Sequence, residues 1–224
     1  MKKIFIGIES CHEHRYSQQA VRDTYLKNSP VDYKFFLGTT RNSTARPPST
    51  EDEIIFPVQD GWFKMLARFK LSIDWILEQG YDYFFRCHTD TYVHIPRLLS
   101  SGFEKHDFIG CRQQCNSAPP FCYGGAGFWL SRKAMLSLQT ILQEDAWIKR
   151  MERSTEDYEI GEILSGNGFD VVHDARYGGQ PPVGPQLDND FITLHESELE
   201  GVGGKERNLR IRENMLAAHE RAYR

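Results

Sequence analysis

An aspartate that follows an aromatic segment is the first candidate for chemistry in this sequence. Residues 81–87 are almost unbroken apolar and aromatic, which predicts a central strand buried on both faces, and Asp90 follows closely. A carboxylate there is costly unless a cation meets it, and a divalent metal that carries a substrate diphosphate would do so. His88 points to the same side of an extended chain and could be a second ligand. The alternative is that Asp90 only caps the next turn.

A second acidic pair lies where a helix is predicted to begin. Glu156 and Asp157 follow Thr155, which suits the N-cap of a helix that includes residues 160–164. Acidic residues in a first turn complement the helix dipole and need no other purpose. The alternative is catalytic, because a single carboxylate can take the proton from an attacking hydroxyl group.

Glycines and a late histidine complete the candidates. Residues 124–127 read Gly-Gly-Ala-Gly, which would let the backbone approach a ligand closely, although a turn or a bulge would use glycine equally well. His195 ends a short predicted strand at residues 191–195 and is otherwise an ordinary, partly buried histidine.

These residues are separated by alternating short strands and helices, which predicts an α/β protein with a parallel sheet. Open sheets of this kind bind ligands outside the carboxyl ends of their strands. The polar clusters at residues 9–15 and 86–90 fall at two such ends, so we expect the site to lie between them. The predicted strands are residues 3–10, 31–37, 53–58, 81–87, 169–173 and 191–195, and the predicted helices are residues 18–27 (capped by Ser17), 62–79, 132–143 and 160–164, with a further helix at the C-terminus.

Composition excludes several classes of protein. The 224 residues suffice for one domain with a real core, and no apolar run approaches the roughly 18 to 20 residues that a membrane span needs. A formal net charge of −4 provides no excess of positive charge to bind the phosphate backbone of a nucleic acid, so no nucleic-acid partner is expected. Five cysteines without an export signal predict reduced thiols in a cytoplasmic protein. Residues 39–52 are predicted to form a mobile loop.

The order of the motifs resembles that of the β1,3-glycosyltransferase superfamily, which includes Fringe and the β1,3-galactosyl- and N-acetylglucosaminyltransferases. The resemblance implies that family's GT-A fold, an α/β fold with a mixed, mostly parallel central sheet flanked by helices. It places one GT-A-like catalytic domain in residues 1–200 and a helical tail in residues 201–224. Six segments resemble family motifs in the family's order, namely residues 21–25 (I-R-x-T-W), 35–38 (F-x-x-G), 60–68 (D-x-Y-x-N-L-T-x-K), 86–93 (K-x-D-D-D-x-F-V), 124–131 (G-G-x-G-x-x-L-S) and 156–161 (E-D-V-x-x-G).

The resemblance implies an inverting, metal-dependent transfer of a hexose or N-acetylhexosamine from a UDP-sugar to an acceptor hydroxyl, with β1,3 linkage. Asp157 matches the family's catalytic base, and its acidic neighbour Glu156 is the second catalytic candidate. Asp90 matches the last aspartate of the D-D-D triplet, which binds manganese in the family, with magnesium as the alternative ion. His195 falls where the family places a histidine that completes the metal site, and His88 is a third candidate ligand.

The resemblance also implies contacts to the donor and to a glycan or other hydroxyl acceptor. Four residues are expected in the sugar and acceptor pocket: Tyr123, Gly124, Gly125 and Trp129. The two aromatic residues beside the glycines are included because flat aromatic faces pack on sugar rings. Trp129 could instead belong to the core. Eight residues are expected to face the uridine nucleotide: Glu9, Ser10, Arg15, Arg22, Arg68, Arg86, His88 and Thr89.

The sequence departs from the family at the metal motif. His88 and Thr89 stand where the family has two aspartates, so the predicted site carries less negative charge and should prefer manganese to magnesium. The ribose contacts and the identity of the nucleotide are thereby left open. Two alternatives follow: a degenerate GT-A-fold protein that binds a sugar or nucleotide without turnover, and a transferase that uses another nucleotide-sugar or retains configuration.

The family's membrane anchor, stem and disulfide pattern are not visible in this sequence. We therefore expect a stripped, cytoplasmic catalytic domain of microbial or viral origin.

Overall fold

The computed structural model describes residues 2–40, 50–114, 119–144, 147, 155–178, 190–195 and 204–222. Most of the predicted mobile loop at residues 39–52 and of the Gly- and Pro-rich segment before residue 190 lies outside the described residues, as does Cys115. The other four cysteines, Cys11, Cys87, Cys111 and Cys122, are free thiols, as the sequence predicts.

A seven-stranded sheet forms the centre of the molecule, in the order β10-β6-β9-β4-β1-β2-β3. Neighbouring strands are parallel except that β9 runs antiparallel to both β4 and β6. This arrangement confirms the predicted mixed, mostly parallel sheet. The strands of the sheet are β1 (Ile4–Glu9), β2 (Asp32–Thr39), β3 (Glu53–Gln59), β4 (Tyr83–His88), β6 (Phe108–Gly110), β9 (Phe128–Ser131) and β10 (Val172–His173).

Two small antiparallel ribbons lie beside the central sheet. One pairs β5 (Thr91–Val93) with β11 (Thr193–His195), and the other pairs β7 (Arg112–Gln113) with β8 (Phe121–Cys122). The first ribbon matters for the site, because its register places His195 opposite Thr91, just after the end of β4.

Among the described residues, six α-helices flank the sheet. Alternate side chains of each strand enter two separate apolar clusters, so Phe84 and Phe85 pack on opposite faces of the sheet. The helices are α1 (Arg15–Asp23), α2 (Met65–Glu78), α3 (Ile95–Leu99), α4 (Arg132–Ile141), α5 (Glu156–Gly166) and α6 (Gly204–Ala222).

The predicted C-terminal helix, α6, packs against α1 and against the apolar cluster that contains Phe85, which is the first apolar cluster. Ile211 and Met215 are almost completely buried there. The Ser17 hydroxyl donates to Asn208 Oδ1 at 2.7 Å. Ser17 was predicted as the N-cap of the first helix, but that helix begins earlier and Ser17 lies inside it. Its hydroxyl has a tertiary partner that is 191 positions away in the chain, which no local pattern could indicate.

Two other local predictions differ from the structure. Thr155 precedes α5 as expected, but its side chain makes no capping hydrogen bond. The helix predicted from residue 62 begins as a 3₁₀ turn at Trp62–Lys64 and becomes α-helical at Met65. Because a 3₁₀ turn breaks the 3.6-residue period, Trp62 does not share the buried face of α2 and is 59% exposed. Within the described ranges, no helix is long and apolar enough to cross a membrane.

Candidate active site

The cleft lies at the carboxyl ends of β1 and β4. These strands are adjacent and parallel, and their register places Glu9 beside His88. The chain order reverses at β1, which lies between β2 and β4, and ligands of open α/β sheets bind at such a switch point. The Thr89 amide donates to the Glu9 carbonyl at 3.2 Å. The two polar clusters therefore meet, as the sequence predicts.

Two adjoining cavities make up the cleft. The first has a volume of about 640 Å³ and the second about 420 Å³. Five residues line both and form a shared wall: Trp62, Met65, His88, Asp90 and Arg207. The first cavity is also lined by Glu9, Ser10, Cys11, His12, Glu13, His14, Thr40, Asp60, Gly61, Arg68 and Thr89. The second is also lined by Arg86, Phe121, Tyr123, Gly124, Gly125, Thr155, Glu156, Asp157 and His195.

An ion-pair triad lines the first cavity, with Arg68 and Glu9 buried and Asp60 half-buried. Arg68 donates from Nε to Glu9 Oε2 at 2.9 Å and from a terminal nitrogen to Asp60 Oδ1 at 3.0 Å. Asp60 Oδ1 also accepts the amide of Gly38 at 2.7 Å, so it ties the end of β2 to α2. The positive charge of Arg68 is thus already balanced by carboxylates.

The first cavity has an excess of negative charge. Burial lowers the pKa of both His14 and His88, so these imidazoles are neutral near pH 7. Four carboxylates face two guanidinium groups there, which leaves a formal excess of two negative charges: Glu9, Glu13, Asp60 and Asp90 against Arg68 and Arg207.

Asp90 lies at the centre of the shared wall. Its Oδ1 is 3.5 Å from His195 Nδ1 and 3.8 Å from His88 Nδ1, and its Oδ2 accepts a hydrogen bond from Arg207 at 3.1 Å. Among the described residues, Asp90 Oδ1 and His195 Nδ1 are buried and have no hydrogen-bond partner. Burial lowers the pKa of His195, and this effect is larger than the opposing effect of Asp90. The imidazole of His195 is therefore neutral near pH 7.

These atoms fit a cation that arrives with a substrate. Within the described ranges, no group of three His, Cys, Asp or Glu side chains is arranged to hold a metal ion by itself. A metal that bridges to phosphate oxygens needs only one or two protein ligands, and a carboxylate oxygen and an imidazole nitrogen without partners supply two. Asp90 and His195 therefore suit such an ion better than a permanently bound one.

The glycine turn at residues 124–126 is held from three sides. Thr91 Oγ1 donates to the Gly125 carbonyl at 2.7 Å, and Thr193 Oγ1 donates to the Ala126 carbonyl at 2.6 Å. The Gly124 amide donates to Asp157 Oδ2 at 3.1 Å. The turn is thereby fixed against both the β5–β11 ribbon and the start of α5.

Arg86 and Glu156 form a fully buried ion pair behind this turn. Arg86 also donates to the Gly124 carbonyl at 2.6 Å. Burial raises the pKa of Glu156 to about 7, although Arg86 opposes that shift. Asp157 beside it is only half-buried.

Most of the predicted site residues lie in the cleft, but three do not line either cavity. Arg15 pairs with Glu53, and Arg22 Nε donates to Asp52 Oδ2 at 2.7 Å. Trp129 is completely buried and stacks on Phe103 with ring centroids 3.8 Å apart, so the core alternative describes it. The carboxylate partners of these two arginines lie in β3 and in the turn before it. The sequence alone does not indicate that these segments contact α1, which carries both arginines.

Three residues of the shared wall were not predicted as site residues. Trp62 and Met65 lie within residues 60–68, and the family resemblance of that segment is the signal that could have indicated them. Arg207 had no such signal, because 117 positions separate it from Asp90 along the chain.

The sequence matches no protein-family profile and no curated protein. Solved structures do resemble the chain. One is a glycosyltransferase involved in the glycosylation of the major capsid of PBCV-1, with 12% identity, a TM-score of 0.58, and 96% of this chain and 99% of that chain covered. The chain has a GT-A-like glycosyltransferase fold. A second neighbour, the glycosyltransferase GlyE of Streptococcus pneumoniae TIGR4, has 13% identity and a TM-score of 0.58; 97% of this chain and 63% of that chain are covered. The finer resemblance to the Fringe superfamily stays a prediction.

Proposed function

We propose that this protein transfers a hexose or N-acetylhexosamine from a UDP-sugar to a hydroxyl group of a glycan or another acceptor. One observation carries the proposal. Two cavities adjoin at the carboxyl ends of β1 and β4, with Asp90 in their shared wall and Asp157 in the second. Open α/β sheets bind ligands at such strand ends, and two glycosyltransferases of known structure have a similar fold, which supports a nucleotide-sugar as the ligand of this cleft.

The size and charge of the cavities support a donor that arrives with a cation. Volumes of about 640 and 420 Å³ are in the range of small-molecule sites. A diphosphate would be repelled by the negative excess of the first cavity unless a cation came with it. Asp90 and His195 would hold this ion, with His88 beside them, and manganese suits these mixed donors better than magnesium. When bound, it would stabilise the charge on the departing diphosphate.

Asp157 is the proposed general base. Its Oδ2 accepts the Gly124 amide at 3.1 Å and its Oδ1 accepts the Tyr158 amide at 2.9 Å, so both oxygens are oriented. Each carboxylate oxygen has a second lone pair, which can accept the acceptor's hydroxyl proton. As that proton moves to Asp157, the hydroxyl oxygen bonds to the anomeric carbon. The bond from this carbon to the diphosphate oxygen breaks, and UDP leaves from the opposite face with inversion.

Glu156 has a positioning role in this proposal. Its buried pair with Arg86 holds the guanidinium on the Gly124 carbonyl, and the same glycine donates its amide to Asp157. Glu156 is itself almost completely buried, so an acceptor would reach Asp157 more easily.

A second candidate is a binding protein of the same fold without turnover. The observation in its favour is that Arg207 already neutralises Asp90 at 3.1 Å, while His88 and Thr89 bring no further negative charge to the motif. Such a protein would bind nucleotide or sugar in the cleft but would leave the glycosidic bond intact.

Release of free UDP separates the two candidates. We would incubate the protein with UDP-glucose, UDP-galactose, UDP-N-acetylglucosamine or UDP-N-acetylgalactosamine, together with mixed sugar acceptors and manganese. The proposal predicts UDP release from at least one donor, its loss with a chelator, and an inverted anomeric centre by NMR. Binding of the donors without any release would favour the second candidate, and a retained configuration would overturn the role of Asp157.

A further inference from the structure

We propose that Arg207, on the C-terminal helix α6, binds the diphosphate of the donor. This inference rests on the proposed function and adds a residue to it from outside the segments that carry the family resemblance. It makes α6 a part of the donor site rather than only a packing element.

The position of Arg207 supports this role. Its guanidinium lies in the wall that the two cavities share, 3.1 Å from Asp90 Oδ2. A nucleoside in the first cavity and a sugar in the second must be joined across that wall, and the joining group of a nucleotide-sugar is its diphosphate. The guanidinium therefore stands where two negatively charged phosphates would pass.

Of the three described arginines that line the two cavities, Arg207 is the one that is not buried. Arg68 and Arg86 are buried, and each already serves two oxygen-bearing partners: Glu9 and Asp60 for Arg68, Glu156 and the Gly124 carbonyl for Arg86. The Arg207 side chain is 35% exposed, and its hydrogen bond to Asp90 is its only one among the described residues. A guanidinium has five N–H donors in a fork that matches phosphate oxygens, and four of those of Arg207 have no partner among the described residues.

Packing of α6 on its neighbours positions this side chain at the cleft. Asn208, the next residue, is buried and accepts the Ser17 hydroxyl of α1. One turn further on, Ile211 packs into the first apolar cluster. Arg207 is thus held at the cleft by neighbours on the same helix that do not themselves enter it.

Binding of diphosphates and nucleosides tests the assignment. We would measure the affinities of UDP and uridine by calorimetry with manganese, for the wild type, Arg207→Gln and a control, Arg210→Gln, which removes an exposed i,i+4 ion pair with Glu206 on the same helix. Loss of a charged hydrogen-bond partner predicts UDP affinity about tenfold or more weaker in Arg207→Gln. Uridine affinity should stay within about twofold of the wild type, and the control should bind both ligands normally.

Several outcomes would overturn the inference. Equal UDP affinity in Arg207→Gln and wild type would do so, as would equal losses for UDP and uridine, because Arg207 would then act on the pocket rather than on phosphate. ADP, GDP, CDP and dTDP would be tested with their nucleosides. If the wild type bound none of the five diphosphates, the proposed function would fail as well. If the wild type bound UDP and Arg207→Gln bound it equally well, only the role of Arg207 would be overturned.

Chemical protection gives a direct measure of contact. Phenylglyoxal modifies accessible arginines, and peptide mass spectrometry would follow the rate at Arg207. UDP should slow that rate severalfold while uridine leaves it unchanged. Equal rates with UDP and with uridine would mean that Arg207 pairs with Asp90 in both states and does not contact phosphate.

Discussion

A Cβ atom on Gly125 would lie 2.5 Å from Nε2 of His195 and 2.8 Å from two carbons of the same ring. The turn cannot retreat from the ring easily, because Thr91 holds the Gly125 carbonyl at 2.7 Å. Only glycine leaves room for the imidazole at this point. The turn after β8 and the last strand before the C-terminal helix therefore depend on each other across the second cavity.

Gly125→Ala should displace the His195 ring. We expect the affinity for UDP in the presence of manganese to fall by about tenfold or more. Overpacking should also lower the free energy of unfolding by roughly 1–3 kcal/mol. Gly166→Ala is the matched control, because a Cβ there would meet nothing within 4 Å. Calorimetry and urea denaturation would measure the two effects. Unchanged UDP binding in Gly125→Ala would exclude His195 from the donor site.

Asp157→Asn should separate binding from chemistry. The amide keeps an oxygen for one of the two backbone donors, Gly124 or Tyr158, but cannot take a proton, so we expect the transfer rate to fall by about 10²- to 10⁴-fold. UDP affinity should stay close to that of the wild type. Product formation by chromatography and UDP binding by calorimetry would check both. If the substitution removed UDP binding as well, Asp157 would belong to the donor site and another residue would be the base.

Glu156 should give the protein a distinctive pH dependence of stability. Burial raises its pKa from 4.5 to about 7, Glu9 and Asp157 add to the rise, and Arg86 and Arg68 oppose it. Between those pH values the folded state holds a proton that the unfolded chain has released, so the contribution of this group to stability falls as pH rises.

The variant Glu156→Gln removes this titration. The free energy of unfolding of the wild type, minus that of the variant, should fall by roughly 3 kcal/mol from pH 4.5 to pH 7. Urea denaturation at half-unit pH steps would measure the difference. Parallel profiles for the two proteins would show that Glu156 has the same proton affinity in both states.

The triad under the first cavity should be important for stability. Arg68→Met leaves the buried Glu9 and the half-buried Asp60 without a counter-charge and should cost about 3–5 kcal/mol. Lys70→Met, which removes a partly exposed i,i+4 pair with Asp74 on the same helix, should cost less than about 1 kcal/mol. Similar losses of unfolding free energy in the two variants would mean that Arg68 and Glu9 are not buried in solution.

Local patterns predicted the frame of this protein well. Residues 81–87 are apolar and aromatic because the strand is buried on both faces, and its end at His88 lies beside Glu9, as parallel strands require. The position of the cleft follows from this, since the carboxyl ends of adjacent parallel strands meet at one edge.

Tertiary contacts explain why some predicted site residues lie outside the cleft and why one lining residue was not predicted. Arg22 was expected at the nucleotide, but its partner Asp52 is 30 positions away, in a segment whose packing no local periodicity reports. Trp129 was a sugar-pocket candidate, yet β9 lies between β4 and β6 and is covered on both faces. Arg207 was missed because its helix reaches the cleft by packing on α1 and β5, which tertiary structure alone decides.

The most direct test of the account is the binding of nucleotide-sugars with and without a cation. We would titrate the four UDP-hexoses and UDP-N-acetylhexosamines named above into the wild type by calorimetry, first with manganese and then with a chelator. The account predicts that at least one binds with a Kd below about 1 mM and loses about tenfold or more in affinity with the chelator. No binding of any of them, or equal affinity in both conditions, would contradict it.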